Sequence, residues 1–499
     1  MRYLVFTALA LVLLVGASSA LPNEVTATIV TTATGGDVYQ EAYNYVDEAS
    51  GDVTETITMV ADATGEVTQD GDNEAYVDSD GAVVTQSISM DATGEDIYQN
   101  WYSWGNYAEV TGEGTTIIQS FMQNANAENY VYQYASNEAD QEDGSLSMTT
   151  QTIEQTAVAG GDIDQYAYND AYFYGDGNVA FQSVFMDANA GGWAYQDGYN
   201  YVDMYGDDGW MSTMVDQSAT LNAIAGDWVD QYFYNDIPYA TGGSVNDQAI
   251  TMSGTAGTDV DQYLYNYIDL WNAVSEDNQV LSAAAFAADG YVYQDAYNEI
   301  DYGTDDGITW GNELASQSIS LSGVATGDVE QIGWNWADLD DNAVLGQLVS
   351  MGGDGAFVEQ DAYNDAYFGY SATVAQALEF SAISDDEGVD QYGYNYAENY
   401  WDDGGATSSI GQSISAAATG GDTSYQDFYN IAALDYNWAP GTYNVVQSNV
   451  ATLAATDDAY QWMYNWVYWW NPNTGSVAMD ILGDASADYV YQYHENWIG

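Results

Sequence analysis

The sequence almost completely lacks positive charge. Arg2 is the only Lys or Arg among 499 residues, against 77 Asp and Glu residues and a single histidine, His494. Proteins bind phosphate mainly through Lys and Arg, so the composition excludes nucleic acid and anionic membranes as partners. The chain also cannot neutralise itself through Lys or Arg salt bridges, and solvent cations or bound metal must balance its charge.

Cysteine is absent and proline is scarce, with four residues in the whole chain. The fold therefore has no disulfides and must be held by backbone pairing and side-chain packing. Few prolines suit a strand-rich chain, because proline cannot donate to a strand ladder. Such a charge imbalance could indicate disorder. A hydrophobic content of 46%, with 46 Tyr and 16 Trp, instead indicates a packed core.

Residues 1–20 predict a secretory signal peptide. The charged start Met1-Arg2 precedes the apolar run "YLVFTALALVLLVGA", and the small residues Ser18-Ser19-Ala20 follow it. This order is typical of a cleaved export signal, although a membrane anchor is the alternative. No second run of membrane-spanning length follows. The sequence therefore predicts a secreted, extracellular protein that is not in a membrane after cleavage.

An internal repeat dominates the rest of the chain. The motif Gln-x-x-x-Asn occurs fifteen times between Gln40 and Asn496, about every 32 residues, and Ser103 replaces Asn in one copy. Such periods are typical of repeat arrays. A second glutamine series precedes the first by 13 to 15 residues, with Glu55 and Ala478 at its place in two copies. We predict one continuous array over residues 21–499, without caps.

The sequence predicts two strands in each repeat, because apolar and polar residues alternate with period two. An even spacing places the Gln and the Asn of the motif on the same face of a strand. If repeats stack, each amide lies over the next and can donate and accept along a continuous ladder. The predicted ladder residues are Gln40, Asn44, Gln165, Asn169, Gln231, Asn235, Gln262, Asn266, Gln294, Asn298, Gln391, Asn395, Gln86, Gln217, Gln317 and Gln412.

Two further rows are predicted on the outside of the stack. The residue before each Asn is usually aromatic and forms a predicted stripe of Tyr43, Tyr168, Tyr199, Tyr234, Tyr265, Tyr297, Trp334, Tyr363 and Tyr394. Acidic residues at the turn before the Gln strand form a second row that could bind Ca²⁺ or Mg²⁺, since hard cations prefer carboxylate oxygen. The candidates are Asp37, Asp162, Asp227, Asp259, Asp328 and Asp422. Diffuse counterions on a solvated edge are the alternative, and no other cofactor is predicted.

Two all-β topologies fit this pattern. In a β-solenoid, the two strands of a repeat face each other and successive repeats pair in parallel. In the alternative, all strands form one antiparallel meander that closes as a hoop. We favour the solenoid, because it buries the amide face within one chain. Without caps, open strand edges at both ends would template further pairing, so we expect a homopolymer.

The repeats resemble those of secreted functional amyloids. Inward Gln and Asn on strand–turn–strand units are similar to the repeats of bacterial curli subunits, whose repeat is shorter and differently spaced. The acidic, Tyr-rich and Lys-free composition resembles proteins of the tubular sheaths around filamentous methanogenic archaea. This resemblance implies an extracellular, protease-resistant, amyloid-like wall in an archaeal cell envelope.

Two other functions compete with this structural role. A surface adhesin or glycan-binding β-helix would use the Tyr and Trp stripe. An enzyme such as a polysaccharide lyase would need a locally unique cluster of catalytic residues. The repeats are uniform and offer no Lys or Arg to hold a uronate, so we predict that the protein is not an enzyme.

Overall fold

In the computed structural model, the described residues are 10–14, 24–101, 104–142, 145–175, 177–205, 213–241, 244–271, 275–303, 313–339, 343–369, 371–399, 407–434, 442–469 and 474–498. Every regular element in these ranges is a β-strand. Contacts divide the chain into two compact units, one of residues 1–247 and 252–256 and one of residues 248–251 and 257–499. The prediction of a single array therefore stays a prediction.

Most strands are about twelve residues long. In chain order they are β1 (Ala10–Leu14), β2 (Glu24–Gly35), β3 (Val38–Ala49), β4 (Asp52–Ala63), β5 (Val67–Asp78), β6 (Val83–Gln99), β7 (Asn106–Thr111), β8 (Thr116–Glu142), β9 (Met148–Ala159), β10 (Ile163–Tyr174), β11 (Val179–Ala190), β12 (Ala194–Tyr205), β13 (Met214–Ala225) and β14 (Val229–Thr241). They continue as β15 (Val245–Ala256), β16 (Val260–Trp271), β17 (Glu276–Ala287), β18 (Val292–Gly303), β19 (Leu314–Ala325), β20 (Val329–Leu339), β21 (Val344–Phe368), β22 (Thr373–Asn399), β23 (Thr407–Thr419), β24 (Ser424–Leu434), β25 (Thr442–Ala454), β26 (Asp458–Trp469), β27 (Thr474–Ser486) and β28 (Tyr489–Ile498).

Within each unit, a strand pairs in parallel with the strand two places along the chain. In the first unit β10 pairs with β12, and β9 pairs with β11. In the second unit β16 pairs with β18, and β17 pairs with β19. The long strands β6, β8, β21 and β22 run through a turn and join both sheets. Two strands therefore make one turn of a solenoid.

The prediction of a parallel β-solenoid is confirmed, and the antiparallel meander is wrong. Repeats stack in the register that the motif predicts, with Gln165 beside Gln133 on one side and Gln196 on the other. Strands that carry the Gln-x-x-x-Asn motif are called amide strands. The facing strands, which carry the second glutamine series, are called partner strands.

The core between the two sheets pairs small side chains with large ones. A Cβ on Gly71 of an amide strand would lie 2.8 Å from Met59 and 3.1 Å from Met90 of partner strands. At Phe233, a large residue at this position of an amide strand, a small residue in the turn before it compensates. Phe233 follows Gly198 in the stack, and a Cβ on Gly198 would lie 2.9 Å from its ring. The core therefore fills its volume across turns as well as across sheets.

The short Gly-Asp segment before an amide strand forms hydrogen bonds with the equivalent segment in the next turn of the solenoid. Asp259 Oδ1 accepts a hydrogen bond from the backbone N–H of Tyr291 at 3.0 Å. Asp162 Oδ1 accepts from Trp193 N in the same way at 3.1 Å. A side chain on Gly290 would overlap the Asp259 carboxylate. Glycine recurs in these segments because the aspartate from the preceding turn of the solenoid occupies the space that a Cβ would need.

Residues 10–14, inside the predicted signal peptide, form strand β1. Its backbone runs parallel to β3, with Ala10 beside Ala42 and Leu14 beside Val46. This strand lies along the edge of β3 opposite to β5. The cleavage of residues 1–20 stays a prediction.

Candidate functional site

The glutamines of the amide strands form a buried hydrogen-bonded ladder in each unit. Gln165 Nε2 donates to Gln133 Oε1 at 2.8 Å, and Gln196 Nε2 donates to Gln165 Oε1 at 2.7 Å. In the second unit Gln294 Nε2 donates to Gln262 Oε1 at 2.8 Å. In each of these bonds the donor points toward the turn before it, so each glutamine both donates and accepts along the stack.

The asparagines form a second ladder with the opposite direction. Asn169 Nδ2 donates to Asn200 Oδ1 at 2.9 Å, which is toward the turn after it. Asn298 Nδ2 donates likewise to Asn335 Oδ1 at 2.9 Å. The amide dipoles of the two ladders therefore oppose each other along the stack, and each amide can donate to one neighbour and accept from the other.

The remaining amide hydrogens connect the two sheets. Asn169 Nδ2 also donates across the core to the backbone oxygen of Ser183 at 3.3 Å. Gln182 Nε2, on the partner strand, donates to the backbone oxygens of Asn169 at 3.1 Å and Tyr201 at 2.9 Å. Such bonds give the remaining N–H groups of the buried side-chain amides an acceptor, and a buried donor without one would cost about 1–3 kcal/mol.

The partner strands carry a third ladder, which Glu55 terminates in the first unit. Gln119 Nε2 donates to Gln86 Oε1 at 2.9 Å, and Gln86 Nε2 donates to Glu55 Oε2 at 2.8 Å. Glu55 is fully buried, and its Oε1 has no hydrogen-bond partner among the described residues. Burial raises the pKa of this carboxyl to about 8, although the bond from Gln86 opposes the shift.

All of the predicted ladder residues lie in the interior. Their side chains are at most 2% exposed: Gln40, Asn44, Gln165, Asn169, Gln231, Asn235, Gln262, Asn266, Gln294, Asn298, Gln391, Asn395, Gln86, Gln217, Gln317 and Gln412. The structure thus brings together residues that are about 30 positions apart in sequence.

Sequence reasoning assigned two ladder positions to the wrong residue. Asn106, not Ser103, continues the asparagine ladder, because Asn73 Nδ2 donates to Asn106 Oδ1 at 2.8 Å. Ser103 lies outside the described residues. Met479, not Ala478, lies beside Gln447. Gln447 Oε1 consequently has no hydrogen-bond partner among the described residues.

A short fourth ladder was missed. Gln155 Nε2 donates to Gln123 Oε1 at 2.8 Å on the partner strands. Each residue lies four positions after a glutamine of the second series, Gln119 or Gln151. The same even spacing that identified Gln-x-x-x-Asn would have found them.

The aromatic stripe lies on the outer face of the amide strands. The ring centroids of Tyr265 and Tyr297 are 5.2 Å apart, and those of Tyr297 and Trp334 are 5.3 Å apart. Several rings bond acidic neighbours: Tyr265 Oη donates to Glu299 Oε2 at 2.8 Å. The other predicted stripe residues, Tyr43, Tyr168, Tyr199, Tyr234, Tyr363 and Tyr394, lie at the equivalent register positions.

Carboxyl groups beside the stripe are partly desolvated. Burial raises the pKa of Asp170 to about 7, with an opposing hydrogen bond from Tyr199 Oη at 2.9 Å. Burial likewise raises the pKa of Asp365 to about 6, opposed by a bond from the Trp334 indole. The outer face is therefore less strongly charged near neutral pH than the composition alone implies.

The predicted acidic row runs along the turns. Asp37, Asp162 and Asp259 each accept a backbone N–H group of the next turn. Asp227, Asp328 and Asp422 lie at equivalent turns. Within the described ranges, no three acidic or histidine side chains converge closely enough to hold a metal ion. Binding of Ca²⁺ or Mg²⁺ by this row stays a prediction.

The fold and its interior define a parallel β-solenoid with internal amide ladders. Over the part of the chain that the structure describes, no helix is long and apolar enough to span a membrane. Comparisons with protein-family models, with curated proteins and with solved structures find no match.

Proposed function

We propose that this protein is a structural subunit that stacks end to end into an extracellular, amyloid-like fibre or sheath. The observation that supports this proposal is the ladder. Successive turns pair in the same strand register and form hydrogen bonds through the same glutamine and asparagine side chains. The exposed edge of an end turn can pair with a second molecule through the same register and the same amides. The proposed location outside the cell depends on the predicted signal peptide.

The described end turns are complementary. In the last turn Gln492 and Asn496 bond inward only, so the carbonyl of Gln492 and the amino group of Asn496 face outward. In the first turn Asn44 Oδ1 is buried without a hydrogen-bond partner among the described residues, and Gln40 Nε2 bonds only Thr31. A head-to-tail contact therefore matches Asn496 as donor with Asn44 as acceptor, and Gln40 as donor with Gln492 as acceptor.

The opposite directions of the two ladders make this match specific. The last turn presents an acceptor at Gln492 and a donor at Asn496, four residues apart. The first turn presents a donor at Gln40 and an acceptor at Asn44. In this proposal β1 covers the β3 edge until the signal peptide is removed, so assembly follows export. Heterologous contacts of this kind generate open filaments when the rotation between molecules does not close a ring.

The test is assembly of the secreted, signal-cleaved chain, followed by light scattering and electron microscopy. A folded domain fused directly to Gly499 should block growth, because it covers the last turn. The same domain on a flexible linker of about 30 residues is the matched control and should permit growth. Equal growth of both fusions, or no filaments from the unfused chain, would refute end-to-end stacking.

A glycan-binding surface is the second candidate, because stripe residues reach solvent. Tyr234 is 43% exposed and Trp334 is 38% exposed. Saturable binding of soluble glycans by a chain that forms no filaments would favour this candidate over the structural one.

A further inference from the structure

The aromatic stripe is interrupted over three successive turns of the first unit. Asp72 follows Tyr43 at the stripe position, and Ser136 precedes Tyr168. Between them lies Gly105, whose backbone N–H donates to Asp72 Oδ1 at 2.8 Å. The outer face therefore lacks an aromatic side chain at three consecutive stripe positions.

An insertion in the third repeat places Gly105 at the middle one of these positions, whereas Asp72 and Ser136 are non-aromatic residues in the regular strands on either side. The amide strand of that repeat ends at Gln99 and resumes as β7 at Asn106. Asn100 and Gly105 adopt positive φ angles of 61° and 90°. A Cβ on Gly105 would overlap the backbone oxygen of Ser136, so the chain returns to the sheet only with glycine at that position. Among the amide strands that the structure describes, this is the one that is divided into two strands.

The interruption leaves a cleft of about 380 Å³. Its aromatic lining comes from Tyr43, Tyr76, Tyr107 and Trp104. The centroids of Tyr76 and Tyr107 are 5.8 Å apart with a 53° interplanar angle, so the rings present differently oriented faces. Trp104 is 81% exposed, which leaves its indole free to cover a ligand.

Carboxyl groups complete the lining. Glu74 is held by two phenols, since Tyr43 Oη donates to its Oε2 and Tyr76 Oη donates to its Oε1 at 2.7 Å. Asp72 and Glu138 also border the cleft. Burial raises the pKa of Asp72 to about 6 and raises that of Glu138 as well. The lining of the cleft includes no Lys or Arg, so a proton or a cation from solvent must neutralise these groups.

We propose that this cleft binds a small organic ammonium cation, with the ammonium group between the aromatic faces and beside Glu74. Aromatic faces attract cations through the ring quadrupole, and they suit a quaternary ammonium better than a strongly hydrated metal ion. The described side chains here also include no convergent set that could hold a metal. The cleft lies on the outer face, so binding does not depend on end-to-end assembly.

The test is equilibrium dialysis of radiolabelled choline against the full chain in about 0.3 M NaCl, which suppresses diffuse counterion binding. We expect one saturable site. Glu74→Gln should weaken choline binding about tenfold, and Trp104→Ala should weaken it about fivefold. The uncharged isostere 3,3-dimethylbutan-1-ol should compete at least tenfold more weakly than unlabelled choline.

The controls are matched variants on the outer face of the second unit. Glu398→Gln removes one carboxylate that accepts a phenol, from Tyr396 Oη at 2.7 Å, and Trp334→Ala removes one stripe indole. Both should bind choline as the unaltered chain does, and circular dichroism should show unchanged strand content in all variants. The proposal is overturned if binding is not saturable, if the neutral isostere competes equally, or if the cleft variants match their controls.

Discussion

Replacing Glu55 with glutamine should stabilise the first turns of the solenoid, and the gain should depend strongly on pH. Glu55 occupies a glutamine position at the end of the partner-strand ladder. Its ordinary pKa is 4.5, and burial raises it to about 8 in the folded chain. Glutamine has a nearly identical shape, keeps an acceptor for Gln86 Nε2, and carries no charge at any pH.

The sign and size of the effect follow from proton linkage. Below pH 4.5 the carboxyl is protonated in both the folded and the unfolded chain, so Glu55→Gln should be close to neutral. Between pH 4.5 and 8 the unfolded chain releases the proton and the folded chain retains it, so stability falls as pH rises. Above pH 8 the loss is complete and amounts to roughly 5 kcal/mol, at about 1.4 kcal/mol per pKa unit.

Hydrogen exchange measured by mass spectrometry suits this prediction, because the terminal turns of a solenoid can open locally. At about pH 9, peptides from residues 52–78 should exchange roughly 1,000 to 10,000 times more slowly in Glu55→Gln than in the unaltered chain. At about pH 4.5 the two should exchange equally. Glu41→Gln, on the exposed face of β3, is the control and should change neither rate. If the ratio of the exchange rates of the unaltered chain and the Glu55→Gln variant were the same at both pH values, the claim that burial disfavours the charged form of Glu55 would be refuted.

Three further predictions concern the ladder, the turns and the outer face. Asn335→Ala should destabilise the second unit by about 2–5 kcal/mol, because the side-chain amides of Asn298 and Asn364 lose their hydrogen-bond partner in the interior. Chemical denaturation measures this loss, and a loss below about 1 kcal/mol would contradict the ladder. Gly290→Ala should cost about 1–3 kcal/mol through overlap with the Asp259 carboxylate. Gly346→Ala, whose Cβ would meet open space, should be neutral or stabilising by up to about 1 kcal/mol, and equal effects of the two would contradict the turn geometry. Burial raises the pKa of outer carboxyl groups such as that of Asp170, so stability should fall as pH rises from about 4 through 7. The melting temperature should therefore be higher at about pH 5 than at about pH 8, and an equal or lower value at about pH 5 would contradict this prediction.

The fold was predictable because one rule repeats along the chain. An even spacing from Gln165 to Asn169 places both amides on one face, and recurrence at a constant period indicates an array of equivalent repeats. The size compensation between Gly198 and Phe233 is visible only in the register of the stacked strands. The periodicity alone left the choice between parallel and antiparallel pairing open, since both topologies bury one face.

The features that escaped prediction lie where the repeat is broken. Counting four residues from Gln99 reaches Ser103, but the ladder resumes only at Asn106. The cleft beside Trp104 depends on that detour, and no periodic pattern encodes it. The direction of each amide ladder was also hidden, because a glutamine can donate toward either neighbour until the facing carbonyls are known.

A cryo-electron microscopy map of the assembled, signal-cleaved protein tests the central claim most directly. We predict parallel strands about 4.8 Å apart along the filament, with glutamine and asparagine side chains stacked in the interior across the junction between molecules. Amides that face solvent, antiparallel pairing between turns, or closed particles whose end turns never join would contradict end-to-end stacking through the ladders.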